Sequence, residues 1–558
     1  MTRVLGSWVN AATYVSVGET SMKRSSWKSE NTVTVPVGSG SVVGLNVTSI
    51  AGKPYYSFRR IPYAVPPVGS LRFQDPVPFV LNETVDATKS SPFCTQELIA
   101  GITYGQEDCL YLNVYTQKLP QETANKDATV LVWIHGGSFK SGSGNDLMYA
   151  PDYIMEVDDV ILVTINYRLA AIGYLSTQDS IIPGNRGFKD QVLALQWVKE
   201  NIAAFGGNPE RVTIFGESAG STSITYHLMS PKSSGLFQRA IAMSGCILNP
   251  RAIAAPARDR AFRFARALGY TGSDSSEDLL DFLNSLSGDE LVQDDQRALS
   301  EEDKRRFDTL VFMGVIEPES ETAFLSSRPE DVLLSGNVNA VPLLIGDLSG
   351  ECIANVVSKG LTTNASVAQD LDENFEEIIG LDVRAPDAET QRQVAQKLRA
   401  LYYQDEPITT ESFNETEEMM SDLYFVEPVD YLVRILANQT VPIYYYHFSY
   451  KGPHAAYPQY SGVAHADELK YLFPSSAGEV DSDPASGEYQ TRIRMIKMWT
   501  NFAKTGNPTP EPVNGTLWDI YGSNRNYLEI GEMLQMKSNL WGEKLDYLHE
   551  LMPLRTTT

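Results

Sequence analysis

Short β-branched and aromatic runs recur along this chain, separated by stretches of helical pattern, and that alternation constrains the fold more than any other feature. The runs are 129–134 (TVLVWI), 160–165 (VILVTI), 211–215 (RVTIF), 240–243, 342–345 and 441–447 (VPIYYYH). Nearly unbroken apolar runs of this length fit strands buried on both faces, as in a parallel sheet covered by helices. Parallel strands need crossover connections. Over 189–205, Val192, Leu195, Val198 and Ile202 recur at three- and four-residue spacing, which is the stripe of an amphipathic helix. Gly206-Gly207-Asn208-Pro209 stops it. The prediction is an α/β fold with a large, mostly parallel central sheet flanked by helices, built as one large domain.

Within the 558 residues, residues 1–35 read as a loosely ordered leader, 36–550 as the folded body and 551–558 as a tail. The span of about 252–335 is richer in charge and helical pattern and reads as a helical insertion covering the sheet. Composition narrows the partners. The net charge of −25 repels phosphate backbones and anionic lipid, so neither nucleic acid nor a membrane surface is expected. No run reaches 18 uninterrupted apolar residues, so no transmembrane helix is expected. The first 30 residues are mixed, with Lys23, Arg24 and Lys28, and form no clear secretory signal. Six N-x-Ser/Thr sequons, at Asn46, Asn82, Asn364, Asn414, Asn438 and Asn514, lean the other way, and an extracellular location is expected over a cytoplasmic one. Four cysteines, Cys94, Cys109, Cys246 and Cys352, are too few for a disulfide scaffold, and no CxxC pair offers a zinc site.

The sharpest motif is Gly216-Glu217-Ser218-Ala219-Gly220, directly after RVTIF and before a helical stretch over 221–228. About one chain in five of this length would carry a G-x-S-x-G by chance, but the strand and helix around it make a nucleophile elbow. The glycines permit a tight turn that lifts the serine hydroxyl above the sheet. The following helix aims its first amides at developing negative charge. A serine hydroxyl needs a base, and the base an orienting acid. In this strand–turn–helix context the order is serine, acid, histidine. That order leaves His447, His454, His465 and His549. His447 ends an apolar strand and reads as core, whereas His465 lies in the glycine-led loop Gly462-Val463-Ala464-His465 past the last strong strand. The acid belongs after the run 342–346, where Glu351 and Asp347 both qualify. His135-Gly136-Gly137-Ser138-Phe139 follows TVLVWI, in the place of an oxyanion loop.

At these residues the chain resembles the type B carboxylesterase and cholinesterase family, notably its arthropod carboxylesterases. The resemblance runs from about Val42 to the C-terminal region. It rests on Phe58 to Gly69 (FRRIPYAVPPVG), Glu107 to Val114 (EDCLYLNV), HGGSF, Asn166-Tyr167-Arg168, Gly184-Asn185, Lys189-Asp190-Gln191, GESAG and GVAHADE. It implies the α/β-hydrolase fold and hydrolysis of a small-molecule carboxylic ester through an acyl-enzyme, with no metal or organic cofactor. It implies a triad of Ser218, Glu351 and His465, and so selects Glu351 over Asp347. It also implies oxyanion donors from the backbone of Gly137, Ser138 and Ala219, and a Cys94–Cys109 disulfide. Three departures stand out. Ser138 replaces the third glycine of the usual HGGGF. No tryptophan lies between Cys94 and Cys109 to hold a quaternary ammonium, which argues against acetylcholine. Cys246 and Cys352 lack the usual disulfide partners and read as small buried side chains or as thiols near the site. The rivals are a catalytically silent binding relative, which an intact triad disfavours, and a lipase or juvenile-hormone-type esterase.

Overall fold

Every apolar run becomes a strand of one sheet. The computed structural model describes residues 32–554, apart from 100, 121–126, 255, 308, 440 and 475–480. In chain order the strands are β1 (Thr32–Val37), β2 (Gly40–Thr48), β3 (Pro54–Pro62), β4 (Tyr111–Thr116), β5 (Ala128–Ile134), β6 (Val160–Ile165), β7 (Gly207–Glu217), β8 (Arg239–Met243), β9 (Leu343–Leu348), β10 (Ile443–Phe448), β11 (Asn526–Ile530) and β12 (Leu534–Ser538). Their spatial order is β1-β2-β3-β4-β6-β5-β7-β8-β9-β10-β11-β12, and Thr84–Asp86 adds to β2. From β6 to β11 all neighbours are parallel. The flanking pairs are antiparallel. The parallel strands β6, β9 and β10 are buried at every position, as strands covered on both faces must be.

Alternate residues feed two separate cores. Val130, Val132 and Ile134 of β5 join one apolar cluster, and Leu131 and Trp133 join the other. Helices α1 (Arg186–Asn201) and α2 (Ala219–Met229) cover the first face. The long helix Gly487–Thr505 covers the second with Met495, Met498, Trp499 and Phe502. The helices of the 252–335 stretch sit between β8 and β9, and their Phe264, Leu279 and Leu283 enter the first core. A further helical stretch, 353–436, separates β9 from β10 and forms a third apolar cluster. It includes α3 (Phe413–Ser421), a π-helical turn (Asp422–Val426) and α4 (Glu427–Leu436).

Three sequence readings change. The leader was drawn to residue 35, but Thr32 to Val35 pair with β2 as an edge strand; residues 1–31 lie outside the described residues. The run VPIYYYH is not the last strand, since the hairpin β11–β12 follows it. The tail was drawn from residue 551, but Met552 is buried and the Leu554 amide donates to the Tyr431 hydroxyl.

The topology locates a crevice. From β5 the chain moves to one side to form β6 and then crosses to the other side of β5 to form β7. Ligands of open parallel sheets bind at such a switch, outside the carboxyl ends of the strands. The segment after β5 is His135-Gly136-Gly137-Ser138, and the segment after β7 is Ser218-Ala219.

Candidate active site

Ser218 stands between the end of β7 and the start of α2 with φ +59° and ψ −120°. A side-chain-bearing residue adopts that backbone only under constraint. Here the Ser218 amide donates to the Met243 carbonyl of β8 at 2.9 Å, and the Ser218 carbonyl accepts from Thr222. The turn can close because α2 passes directly over β5. A Cβ on Gly220 would lie 2.1 Å from the Ile134 carbonyl oxygen. Ser218 itself is partly exposed, while its neighbours Glu217 and Ala219 are buried.

The loop after β5 folds onto this elbow. A Cβ on Gly136 would come within 3.0 Å of the Ser218 Cβ. Gly137 (φ +111°), Ser138 (φ +57°) and Phe139 (φ +57°) all have left-handed backbone. At Gly137 no side chain fits, because a Cβ would lie 2.1 Å from the Ser141 carbonyl oxygen. Ser138 tolerates its side chain in a half-exposed position. Among the described residues, the amides of Gly137, Ser138 and Ala219 donate to no other protein group. His135 braces the loop from below: its ring stacks on Tyr167 at 4.3 Å, and the Tyr167 hydroxyl donates to its carbonyl. Burial lowers His135 to about 4, so it is a neutral structural group.

The two remaining candidates meet directly. His465 Nδ1 lies 2.6 Å from Glu351 Oε2, and Glu351 Oε1 accepts from the Leu348 amide at 2.8 Å. Their loops are joined by a bridge between Gly350 and Ala464 and by the Val463 amide on the Ser349 hydroxyl. The other ring nitrogen, His465 Nε2, faces Glu217 Oε1 at 3.1 Å. The two candidates are thus paired, and the carboxyl of Glu217 next to Ser218 closes the constellation. Among the described residues Ser218 Oγ makes no hydrogen bond to His465. Burial on its own would lower His465, but Glu217, Glu351 and Glu468 outweigh it and hold the imidazole up to about 9. Burial pushes Glu217 up to about 7, against His465 and with Glu351. Burial also drives Glu468 well above the carboxylate range, reinforced by Glu217 and Glu351. These groups titrate together rather than singly.

The competing residues are committed elsewhere. Asp347 holds His447 Nδ1 at 2.6 Å and accepts from the Tyr445 hydroxyl. His227 is held neutral between Ser233 and Gln191, lowered by burial to about 3. His549 is partly buried and stacks on Tyr431. Cys94 and Cys109 form a disulfide, and Gln96 within its loop clasps Gly142 through both its amide atoms. That clasp links the disulfide loop to the segment following Ser138. Cys246 and Cys352 are buried and in no disulfide among the described residues, and burial pushes the Cys246 thiol up to about 12. All six sequon asparagines are exposed. Sequence reasoning missed Glu468, Glu417 and Phe425. The Phe425 ring lies 4.8 Å from that of His465. Glu468 was within reach, three residues past His465; Phe425 carries no local signal.

Residues 29–548 match the model of the carboxylesterase family. The chain belongs to the carboxylesterase family. This carboxylesterase has the α/β-hydrolase fold and hydrolyses carboxylic esters. It is 32% identical over 536 residues to a carboxylic ester hydrolase of Bombus ignitus, covering 92% of each chain. It is 32% identical to venom carboxylesterase-6 of Apis mellifera over 87% of each chain. It is 34% identical to juvenile hormone esterase of Tribolium castaneum, over 84% of this carboxylesterase and 83% of that relative. Among the described residues no helix is long and apolar enough to cross a membrane.

Proposed function

We propose that the carboxylesterase acts by two-step acyl transfer with Ser218 as nucleophile, His465 as base and Glu351 as orienting acid. The 2.6 Å hydrogen bond between His465 and Glu351 carries this reading. His465 Nε2 takes the proton of Ser218 as the serine oxygen attacks the ester carbonyl. The oxyanion settles on the uncommitted amides of Gly137, Ser138 and Ala219. His465 then protonates the departing alcohol. Water adds to the acyl-enzyme by the same path in reverse and releases the carboxylic acid. Glu351 keeps the Nδ1 proton in place and offsets the imidazolium charge. The substrate is a small-molecule ester. The exposed sequon asparagines and the similarity to a venom esterase support a secreted, glycosylated enzyme.

The test is turnover of p-nitrophenyl esters of increasing acyl length. Wild type is expected to hydrolyse them, and Ser218→Ala to show neither burst nor turnover. Glu351→Gln is expected to lose roughly 10³–10⁴ in kcat, as expected when the base loses its orienting charge. A Glu351→Gln enzyme with wild-type turnover removes Glu351 from this role.

A further inference from the structure

The acid of the proposed triad is held from behind by a group on a different element. The Cys352 amide, the first after Glu351, donates to the Ser421 hydroxyl at 2.9 Å and to Glu417 Oε1 at 3.2 Å. The Ser421 hydroxyl, having accepted from Cys352, donates its own proton to the same Glu417 oxygen at 2.5 Å. Glu417 and Ser421 are four residues apart on α3, so they stand one above the other on one face. The three groups close a partly buried ring around a single amide. The adjoining side of this segment is fixed as well: Lys544 binds Glu418 at 2.8 Å and Asp422 at 2.6 Å, and the Tyr402 hydroxyl donates to Asp422.

The same segment also touches the base. Directly after Ser421 the backbone enters the π-helical turn Asp422–Val426. Such turns insert a residue into a helix and re-aim the side chains beyond it. Phe425 lies in this turn, with its ring 4.8 Å from the His465 ring. One segment of nine residues, 417–425, therefore contacts both the residue after Glu351, through Glu417 and Ser421, and the imidazole of His465, through Phe425.

We propose that Glu417 and Ser421 are positioning residues for ester hydrolysis: their paired acceptors hold the Cys352 amide and so fix the turn that presents Glu351 to His465. This rests on the triad reading above. On its C-terminal side, loss of this pair would deprive the turn of both acceptors on α3, leaving the ties at Leu348, Ser349 and Gly350 on its N-terminal side. The carboxylate could then swing within its own loop, and a displacement of an ångström costs rate without harming substrate binding. The acceptor matters here rather than the charge. Burial pushes Glu417 up to about 7 against the hydrogen bonds from Ser421 and Cys352, with Asp422 and Glu351 adding to it, and in either protonation state the group that receives the two donors is a side-chain oxygen, which glutamine keeps.

The experiment compares wild type, Glu417→Gln, Glu417→Ala and Ser421→Ala on p-nitrophenyl butyrate. Active sites are counted by stoichiometric burst, so that every rate is per reactive serine and unfolded protein does not enter. Glu417→Ala is expected to lower kcat about tenfold per site with KM little changed. Glu417→Gln is expected to recover most of that loss, and Ser421→Ala to fall between. A per-site kcat for Glu417→Ala equal to wild type reduces Glu417 to a packing role and overturns the inference. So does a Glu417→Gln enzyme no faster than Glu417→Ala, because the acceptor would then be irrelevant. Failure of the triad reading is told apart by Glu351→Gln, which would then turn over like wild type, and the inference would fall with it.

Discussion

Glu217 follows from the elbow motif as a residue, but its chemistry does not. The sequence places a carboxyl beside the nucleophile and leaves open whether it acts. In the fold it is buried, with one oxygen 3.1 Å from His465 Nε2. That contact sets a trade. An ionised Glu217 stabilises the imidazolium formed during attack, yet it also favours the protonated, inactive base in the free enzyme. His465 must be neutral to accept the serine proton, so kcat/KM rises with pH along its acid limb. Removing the facing carboxylate removes the largest influence holding His465 up to about 9. Glu217→Gln should therefore move the acid limb of kcat/KM to lower pH while lowering the plateau. A limb that stays put in pH profiles of the two enzymes would separate Glu217 from the base. The choice of Glu351 over Asp347 shows a similar boundary. Order along the chain admitted both. The resemblance selects Glu351, and the partners accord with it: Asp347 sits inside strand β9 against His447, one residue from the strand end, whereas Glu351 has left the strand and turned back to His465.

Among the elements, the strands buried on both faces were legible because their short apolar runs, such as VILVTI, are rich in β-branched residues. Strands β11 (NYLEI) and β12 (LQMKS) were not, since a strand near a sheet edge keeps polar residues on its open side and its pattern resembles a loop. Strand β1 was hidden in the same way, with alternate residues exposed. The 353–436 helices were missed because their apolar faces pack mostly on one another, away from the sheet. The elbow was legible because its glycines answer to contacts that can now be named. At Gly220 the obstacle is backbone, the Ile134 carbonyl oxygen 2.1 Å from any Cβ. Gly220→Ala must push α2 off β5, and overpacking of this kind costs about 1–3 kcal/mol or more. Gly336 is the matched control, with φ +74° and no atom near its Cβ position, so Gly336→Ala costs only the left-handed backbone, about 1 kcal/mol. Thermal melts of both variants should rank Gly220→Ala well below Gly336→Ala, with active-site burst lost first at Gly220. Equal melting temperatures would mean the elbow absorbs a methyl group without moving.

Across the whole molecule, the C-terminal helix is bound to the body by charges that no local pattern reveals. Helix α5 (Gly542–Leu551) places His549 against Tyr431 of α4, ring centroids 4.2 Å apart. Its Nε2 lies 3.6 Å from both Glu427 and Asp430, a pairing that by itself would favour imidazolium. Those carboxylates are already engaged by Arg384 and Arg434. Burial first, and then these guanidinium groups, lower His549 to about 3. The sign follows from linkage. Above the unfolded histidine value of about 6.5, neither state binds the proton and the group is silent. Below it the unfolded chain takes up a proton that the folded protein refuses, so stability falls by about 1.4 kcal/mol per pH unit for this group until the folded value is reached. His549→Phe keeps an aromatic ring against Tyr431 and has nothing to titrate. Between pH 7.5 and 5 the stability of His549→Phe relative to wild type should therefore rise by about 2 kcal/mol in urea unfolding. Parallel curves would show that His549 titrates normally in the fold.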